Sequence, residues 1–457
     1  MASLKGFIAC ILVVYLSVIL HRIILNPKIS VISIDLDYIS FVLLNIDYKS
    51  PYLYIVTLIV GFLVHYVYNL LFRPLNRVRL LGDVGYQKDG KFTMKEISNR
   101  VKHMRDVGEI PPVYPNGWYA LIESWSVGLL ETKTISALGQ QFAVFRDENG
   151  EAHVLDAYCP HMGANLAVGG LVTGDCIQCP FHGWKFRGHD GKCMGIPYAE
   201  KIPEVAKVKS WTTVEINDWI NIWYHAEGME PYWQIPEIED ISSGKLQYNG
   251  RTEHHVNAHI EEIPENGADA AHLMKVHRPF VGAGYELDKI WSNYASWIYH
   301  KWDATWSQRP SPEDHVGCME VTHDVKFFGY SLFKLFEIKV KALQLGPAVV
   351  HITMEGIFFK CVLQHMVVPM EPVVQKVVQT LYMHWAIPNI IGKIFLASDG
   401  IQVDRDMSIW NNKKFQSKPI LSKSREDSLI TKHRRWYSQF YSEHSPRLNF
   451  QKDTLDW

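Results

Sequence analysis

Cys159-Pro160-His161 and Cys179-Pro180-Phe181-His182 are the stretches whose reading decides the fold. Each places one thiol and one imidazole at a loop tip, and 17 residues lie between them. This pattern fits a binuclear iron–sulfur centre in which two thiolates hold one iron and two neutral histidines the other, an arrangement of raised reduction potential. The two loops must then meet in space, and Gly163 and Gly183 allow the tight turns this requires. The same four donors also suit a mononuclear zinc site. Zinc sites, however, more often use Cys-x2-Cys followed by His-x3-His, whereas here each loop carries one ligand of each kind. Among the other cysteines, Cys10 lies in an apolar run and Cys176, Cys193, Cys318 and Cys361 form no further pattern. Seven cysteines without a disulfide framework suit a reducing compartment.

About a hundred residues downstream the chain reads Glu265-Asn266-Gly267-Ala268-Asp269-Ala270-Ala271-His272-Leu273-Met274-Lys275-Val276-His277. Two histidines and a carboxylate form the facial triad that binds non-haem iron(II) and leaves positions open for dioxygen. Asp269 precedes His272 by three residues and shares its helical face. His272 and His277 are five apart, about 140° out of line on a regular helix, so a π-bulge or broken turn is expected between them.

These residues resemble the Rieske non-haem iron oxygenases over roughly residues 115 to 445. The resemblance implies that Cys159, His161, Cys179 and His182 hold a [2Fe-2S] cluster. It implies that His272 and His277 hold the catalytic iron(II), and that Asp269 is the carboxylate bridging a cluster histidine of one subunit to an iron histidine of its neighbour. The family's third iron ligand is a later Asp, and Asp399, Asp404 and Asp406 are available. Asp406 is chosen because it stands four before Trp410, as in the Asp-x3-Trp pattern of steroid-acting members; Asp404 is the alternative. The disulfide of respiratory Rieske proteins is lacking, since Ala164 and Phe181 occupy those positions. Within the family the likeness is greatest to the animal cholesterol 7-desaturases, through the apolar N-terminus, the two cluster loops and the tail Arg434-Arg435-Trp436-Tyr437-Ser438-Gln439-Phe440-Tyr441. A similar tail occurs in bacterial ketosteroid hydroxylases.

The resemblance implies a sterol substrate, dioxygen and NAD(P)H-derived electrons, with loss of two hydrogens giving a double bond or gain of oxygen giving an alcohol. No Gly-x-Gly-x2-Gly fingerprint is present, so a separate reductase is expected. The resemblance also implies a homotrimer, since electron delivery across a subunit boundary requires one. A steroid hydroxylase is the second reading, and a pure electron carrier with a ligand-binding domain the third.

The fold class expected is α+β: N-terminal membrane segments, a small all-β Rieske domain and a helix-grip antiparallel sheet. The boundaries are 1–75, 76–114 as a charged connector, 115–225 and 226–457. Gly6 to Leu25 and Tyr52 to Phe72 are the apolar stretches, and the second is long enough to span a bilayer. Arg73, Arg77 and Arg79 after it favour the cytosolic side, which points to an endoplasmic reticulum membrane with the catalytic part in the cytosol. A net charge of −2 argues against a nucleic-acid partner. Helices are expected over Thr93–Met104, Glu262–Val276, Asn389–Lys414 and Ser428–Tyr441. Beyond residue 250 strands are expected at Glu320–Phe328, Leu335–Leu345, Val349–Phe359 and Val377–Ala386, enclosing an apolar cavity.

Overall fold

The computed structural model describes residues 51–448 except 88–89, 105, 291–296, 332–336 and 358. The expected apolar segment Gly6 to Leu25 lies outside these. Two compact units are present, one holding residues up to Pro74 with Ile387–Lys393, the other Leu75–Ala386 with the remainder.

In the first unit, helix α1 (Pro51–Phe72) coincides with the expected apolar stretch and contains no Asp, Glu, Lys or Arg. Among the described residues no helix is long and apolar enough to cross a membrane.

The second unit opens with β1 (Leu75–Arg79) and α2 (Met94–Met104). Thr93 and Glu96 cap α2 reciprocally: the Glu96 N–H donates to Thr93 Oγ1 and the Thr93 N–H to Glu96 Oε2. Short strands follow: β2 (Gly117–Glu123), β3 (Thr132–Ala137), β4 (Gln140–Arg146), β5 (Ala152–Asp156), β6 (Leu171–Thr173), β7 (Cys176–Gln178), β8 (Lys185–Arg187), β9 (Cys193–Gly195), β10 (Thr213–Ile216) and β11 (Trp219–Tyr224). They form three small antiparallel sheets, ordered β10-β11-β2, β3-β4-β5 and β6-β7-β8-β9. This is the expected small β region carrying the cluster loops.

Longer strands build a nine-stranded sheet: β12 (Leu246–Val256), β13 (Ile298–Gln308), β14 (Val316–Phe327), the short β15 (Tyr330–Ser331), β16 (Ile338–Leu345), β17 (Val349–Glu355), β18 (Lys360–Glu371) and β19 (Val374–His384), in the order β1-β12-β19-β18-β17-β16-β14-β13 with β15 on β14. Five of the nine were not expected: β1, β12, β13, β15 and β18. β18 is apolar on both faces, so it shows no alternation: Met366 packs with Trp118, Trp219 and Trp223, while Val367 packs with Val403 and Met407. β12 and β13 are rich in His, Thr, Arg and Lys, which hid them. β1, inside the expected connector, pairs parallel with β12.

Besides single-turn helices at Glu239–Ser242 and Leu287–Ile290, the helices are α3 (Glu262–Glu265), α4 (Ala270–Lys275), α5 (Asn389–Trp410) and α6 (Arg425–Tyr437). The helix expected over Glu262–Val276 is thus two helices, because Asp269 leaves helical geometry to cap α4. Past α6 the chain tightens into a 3-10 turn, Ser438–Phe440. The tail fastens α3: Arg434 grips both carboxylate oxygens of Glu265 at 2.5 and 3.1 Å, and the Tyr441 hydroxyl donates to Glu261 Oε2 at 3.3 Å.

Glu261 is 4% exposed. Burial, reinforced by the neighbouring Glu265 charge, pushes its carboxyl up to about 8. Stability held by a raised carboxyl is present below the ordinary carboxylate range and is lost as pH rises through the folded value. Glu261→Gln is therefore expected to raise the midpoint of thermal unfolding by several degrees at pH 8.5 and by little at pH 5. Calorimetry at the two pH values checks this.

Candidate cluster and iron sites

The two cluster loops share one hydrogen-bond frame. The Cys159 N–H donates to the Ala164 carbonyl and the Gly163 N–H to that of Cys159; the Cys179 N–H donates to Trp184 and the Gly183 N–H to Cys179. Gly163 and Gly183 both have φ +74°, a left-handed conformation that glycine adopts without strain. Both thiols are buried. Burial first, with the Cys179 thiol beside it, pushes Cys159 up to about 11. A cation bound there reverses that balance. The rings of His161 and His182 lie 4.7 Å apart edge-on, and His161 stacks on Trp184 at 4.7 Å and 9°. The four sequence-identified donors are thus gathered at one tip, two sulfurs inside and two imidazoles outward, a donor set that fits a [2Fe-2S] cluster.

The second site forms where α4 ends against α5. Asp269 accepts from the N–H groups of Ala271 and His272, each at 3.1 Å, which starts α4. His272 then sits on the helix, while His277 follows its last turn, so the expected break falls after Lys275. The break brings the two rings to 5.0 Å, at 79°. Asp406 Oδ1 lies 3.1 Å from His277 Nε2, and one donor atom from each of His272, His277 and Asp406 lies within 4.8 Å of the others. Two imidazoles and a carboxylate fit a facial iron(II) site.

Both imidazoles are oriented from behind. His272 Nδ1 donates to the Asp269 carbonyl at 2.5 Å. His277 Nδ1 lies 2.7 Å from Gln402 Oε1, which also accepts from Arg405 Nη1 at 3.0 Å. Because the guanidinium can only donate, the shared atom is an acceptor and His277 Nδ1 is protonated. That leaves Nε2 as the free nitrogen on the side of Asp406. Arg405 is wholly buried and also donates to the carbonyls of Val276, Pro279, Phe280 and Gly284, gathering the segment on both sides of His277. Burial disfavours the charged forms of His272 and His277, and at His277 the Asp406 carboxylate outweighs it.

Helical phase sends the two aspartates to different surroundings. Asp404 faces away from the triad, where it is fully buried against Arg77, Arg79 at 3.3 Å and His254 at 3.6 Å. Arg77 and Arg79, read from the sequence as charges flanking a membrane segment, thus hold a buried carboxylate. Asp399, Gln402, Val403, Asp406 and Trp410 share the opposite face and line a cavity of ≈ 260 Å³ with His272 and His277. Its remaining walls are mainly apolar, including Leu273, Trp302, Trp306, Val350 and Ile352. Sequence reasoning missed Gln402 and Arg405, although their spacing of four and one before Asp406 was a signal that they flank it on one helix.

Another set of metal-capable groups, Asp147, Glu151 and His153, occupies a turn of the β region. There Asp147 accepts from His153 at 3.1 Å and from the Asn149 and Glu151 N–H groups, which closes the turn.

Gln402→Leu is expected to lower affinity for the mononuclear iron by about 10–100-fold while leaving the visible spectrum of the cluster unchanged. Iron titration of the depleted protein against that spectrum measures both.

Comparison with known proteins places two family domains along the chain. The Rieske [2Fe-2S] domain matches residues 117–211, and the 3-ketosteroid 9alpha-hydroxylase C-terminal domain matches residues 222–441. The cholesterol 7-desaturase nvd 1 of Ciona intestinalis is 47% identical over 400 residues, 86% of this chain and 84% of that protein. The cholesterol 7-desaturase nvd of Xenopus laevis is 45% identical over 410 residues, 90% and 89% of the two. Among solved structures, the caffeine-bound QL mutant of NdmA from Pseudomonas putida CBB5 has a TM-score of 0.53 at 16% identity, covering 74% of this chain and 97% of that one, which shows a shared fold. With both metal-binding motifs present and this likeness running along most of its length, the chain belongs to the Rieske non-haem iron oxygenases, in the cholesterol 7-desaturase branch.

Proposed function

We propose that this chain desaturates a sterol, converting cholesterol to 7-dehydrocholesterol. The observation that carries the reading is the triad His272, His277 and Asp406 opening into a largely apolar cavity. The names of the curated relatives supply the substrate class. The protein is an oxidoreductase whose cofactors are the Rieske cluster and a mononuclear iron, with dioxygen and a reductant as co-substrates. When bound, the cluster supplies one-electron transfer and the iron supplies reduction and activation of dioxygen.

The roles of the protein's own groups follow from their positions. Cys159, His161, Cys179 and His182 would hold the cluster; His272, His277 and Asp406 would hold the iron. Trp302, Trp306, Val350 and Ile352 present flat and branched apolar surface to a fused-ring hydrocarbon and keep water from the reacting carbon. Asp269 Oδ1 is committed to capping α4, so Oδ2 is the atom left to meet an imidazole of a neighbouring subunit. Over the cycle the substrate loses two hydrogens, NAD(P)H gives two electrons and one proton, the medium gives a second proton, and dioxygen leaves as two waters.

Exposed Tyr158, Met162, Phe181 and Tyr198 around the cluster loops support a protein partner there, either the separate reductase or another copy in a homotrimer. Helix α1 exposes Leu58, Phe62, Tyr66 and Leu70, which supports contact with lipid. We therefore place the protein at an endoplasmic reticulum membrane with its catalytic part in the cytosol, residues 1–75 serving as anchor and 115–225 and 226–457 as the two functional domains. The match to a hydroxylase domain favours steroid hydroxylation as the second reading.

Purified protein supplied with cholesterol, a reductase and NADPH is expected to yield a product lighter by two hydrogens; a product heavier by one oxygen selects hydroxylation. His272→Ala is expected to keep the cluster spectrum, bind two irons per chain instead of three and lose turnover, and persistent turnover refutes the iron site. Asp269→Asn preserves the cap, because an amide oxygen still accepts from the helix N–H groups. It is expected to retain all three irons yet slow steady-state turnover by at least tenfold, read beside the rate of cluster reduction.

A further inference from the structure

Three aspartates lie within eight residues on α5, and two have ionisable partners: Asp404 meets arginines and Asp406 meets His277. Asp399 is different. It lines the same cavity as the triad, and its Oδ2 is buried with no hydrogen-bond partner among the described residues. A buried carboxyl oxygen left unpaired is costly, and ligand sites characteristically consist of apolar walls with a few convergent polar groups.

The register of the sheet assembles more polarity beside it. Thr252, Gln379 and His365 are cross-strand neighbours on β12, β19 and β18, and Gln379 and His365 line the cavity. The Thr252 hydroxyl donates to Gln379 Oε1 at 2.9 Å, which leaves the Gln379 amide N–H groups for Asp399. Burial pushes the Asp399 carboxyl up to about 6 and the His365 imidazole down to about 4. Near neutral pH the pair can therefore accept a hydrogen bond and, in the protonated fraction of Asp399, also donate one.

We propose that Asp399, with Gln379 and His365, forms the subsite that receives the single ring hydroxyl of a 3-hydroxysterol and thereby sets which carbon faces the triad. The proposal rests on the sterol reading above and adds how the substrate is oriented. Asp399 and Asp406 are two helical turns apart, about 10 Å of rise. This is the scale on which a rigid fused-ring molecule separates a hydroxyl on one ring from a reacting carbon on the next, with the gap to a metal included. Gln344, three strands from Gln379 along the same row, is the other polar group facing the cavity from this row; its Oε1 is engaged by His433 at 3.2 Å. Its Nε2 is buried without a hydrogen-bond partner among the described residues, so Gln344 is the rival position for the hydroxyl. Loss of preference for the hydroxylated sterol in Gln344→Leu but not in Asp399→Leu overturns the subsite.

The test measures equilibrium binding of cholesterol and of its 3-deoxy analogue, cholest-5-ene, to the full-length protein with cluster and iron loaded. Wild type is expected to prefer cholesterol by about tenfold or more. Asp399→Leu should abolish that preference by weakening cholesterol alone, and Asp399→Asn should restore part of it. Gln344→Leu should keep it, with iron content and cluster spectrum unchanged in all three. Equal binding of the two sterols by wild type overturns the subsite while leaving the sterol reading intact. Wild type that binds neither sterol overturns that reading and the subsite with it. Equal weakening of both sterols by Asp399→Leu and Asp399→Asn, or loss of iron in both variants, assigns Asp399 a purely structural role and overturns the subsite.

Discussion

Burying negative charge on a single helix is the constraint around which the catalytic half is arranged. A carboxylate removed from water needs compensation by cations or hydrogen bonds, and α5 brings three of them inside. The helical repeat separates their fates. Asp404 and Asp406 are two residues apart, so they point to opposite sides of the helix: one toward the arginines of β1, the other toward the imidazoles at the end of α4. Without Arg77 and Arg79, an uncompensated charge would lie behind the wall that carries Asp406. The strand read as a connector is therefore part of what allows the site to exist.

The cluster loops were legible because all their chemistry is local. Ligand, turn glycine and backbone closure lie within six residues, as the matching frames of Cys159–Ala164 and Cys179–Trp184 demonstrate. His272 and His277 were legible for the same reason, and so was the need for a break between them. The third carboxylate was not settled by geometry, since Asp404 and Asp406 differ in sequence only in their offset from Trp410. Only helical phase and the distant arginines of β1 distinguish them. Gln402 and Arg405 escaped notice because neither has a ligand's chemistry; their importance lies in what they touch.

The sheet was half legible for a related reason. Strands with mixed apolar and charged patterning, such as β14 and β16, were found. β18 is buried on both faces, and β12 alternates in burial but fills buried positions with polar residues such as Thr252 and His254, so neither shows a period-two alternation of hydropathy. The polarity of β12 is the part closest to function: Thr252 fixes Gln379, and His254 backs Asp404.

The segment after α4 carries one further implication. Arg405 binds the carbonyls that trail His277 with a guanidinium that burial pulls down to about 10 and that is still charged at neutral pH. The shape of the metal pocket is thereby set by groups that neither bind nor release the ion. The entropy lost in ordering that stretch is spent when the polypeptide folds, so loading the metal becomes an insertion into a finished mould that an emptied enzyme would retain.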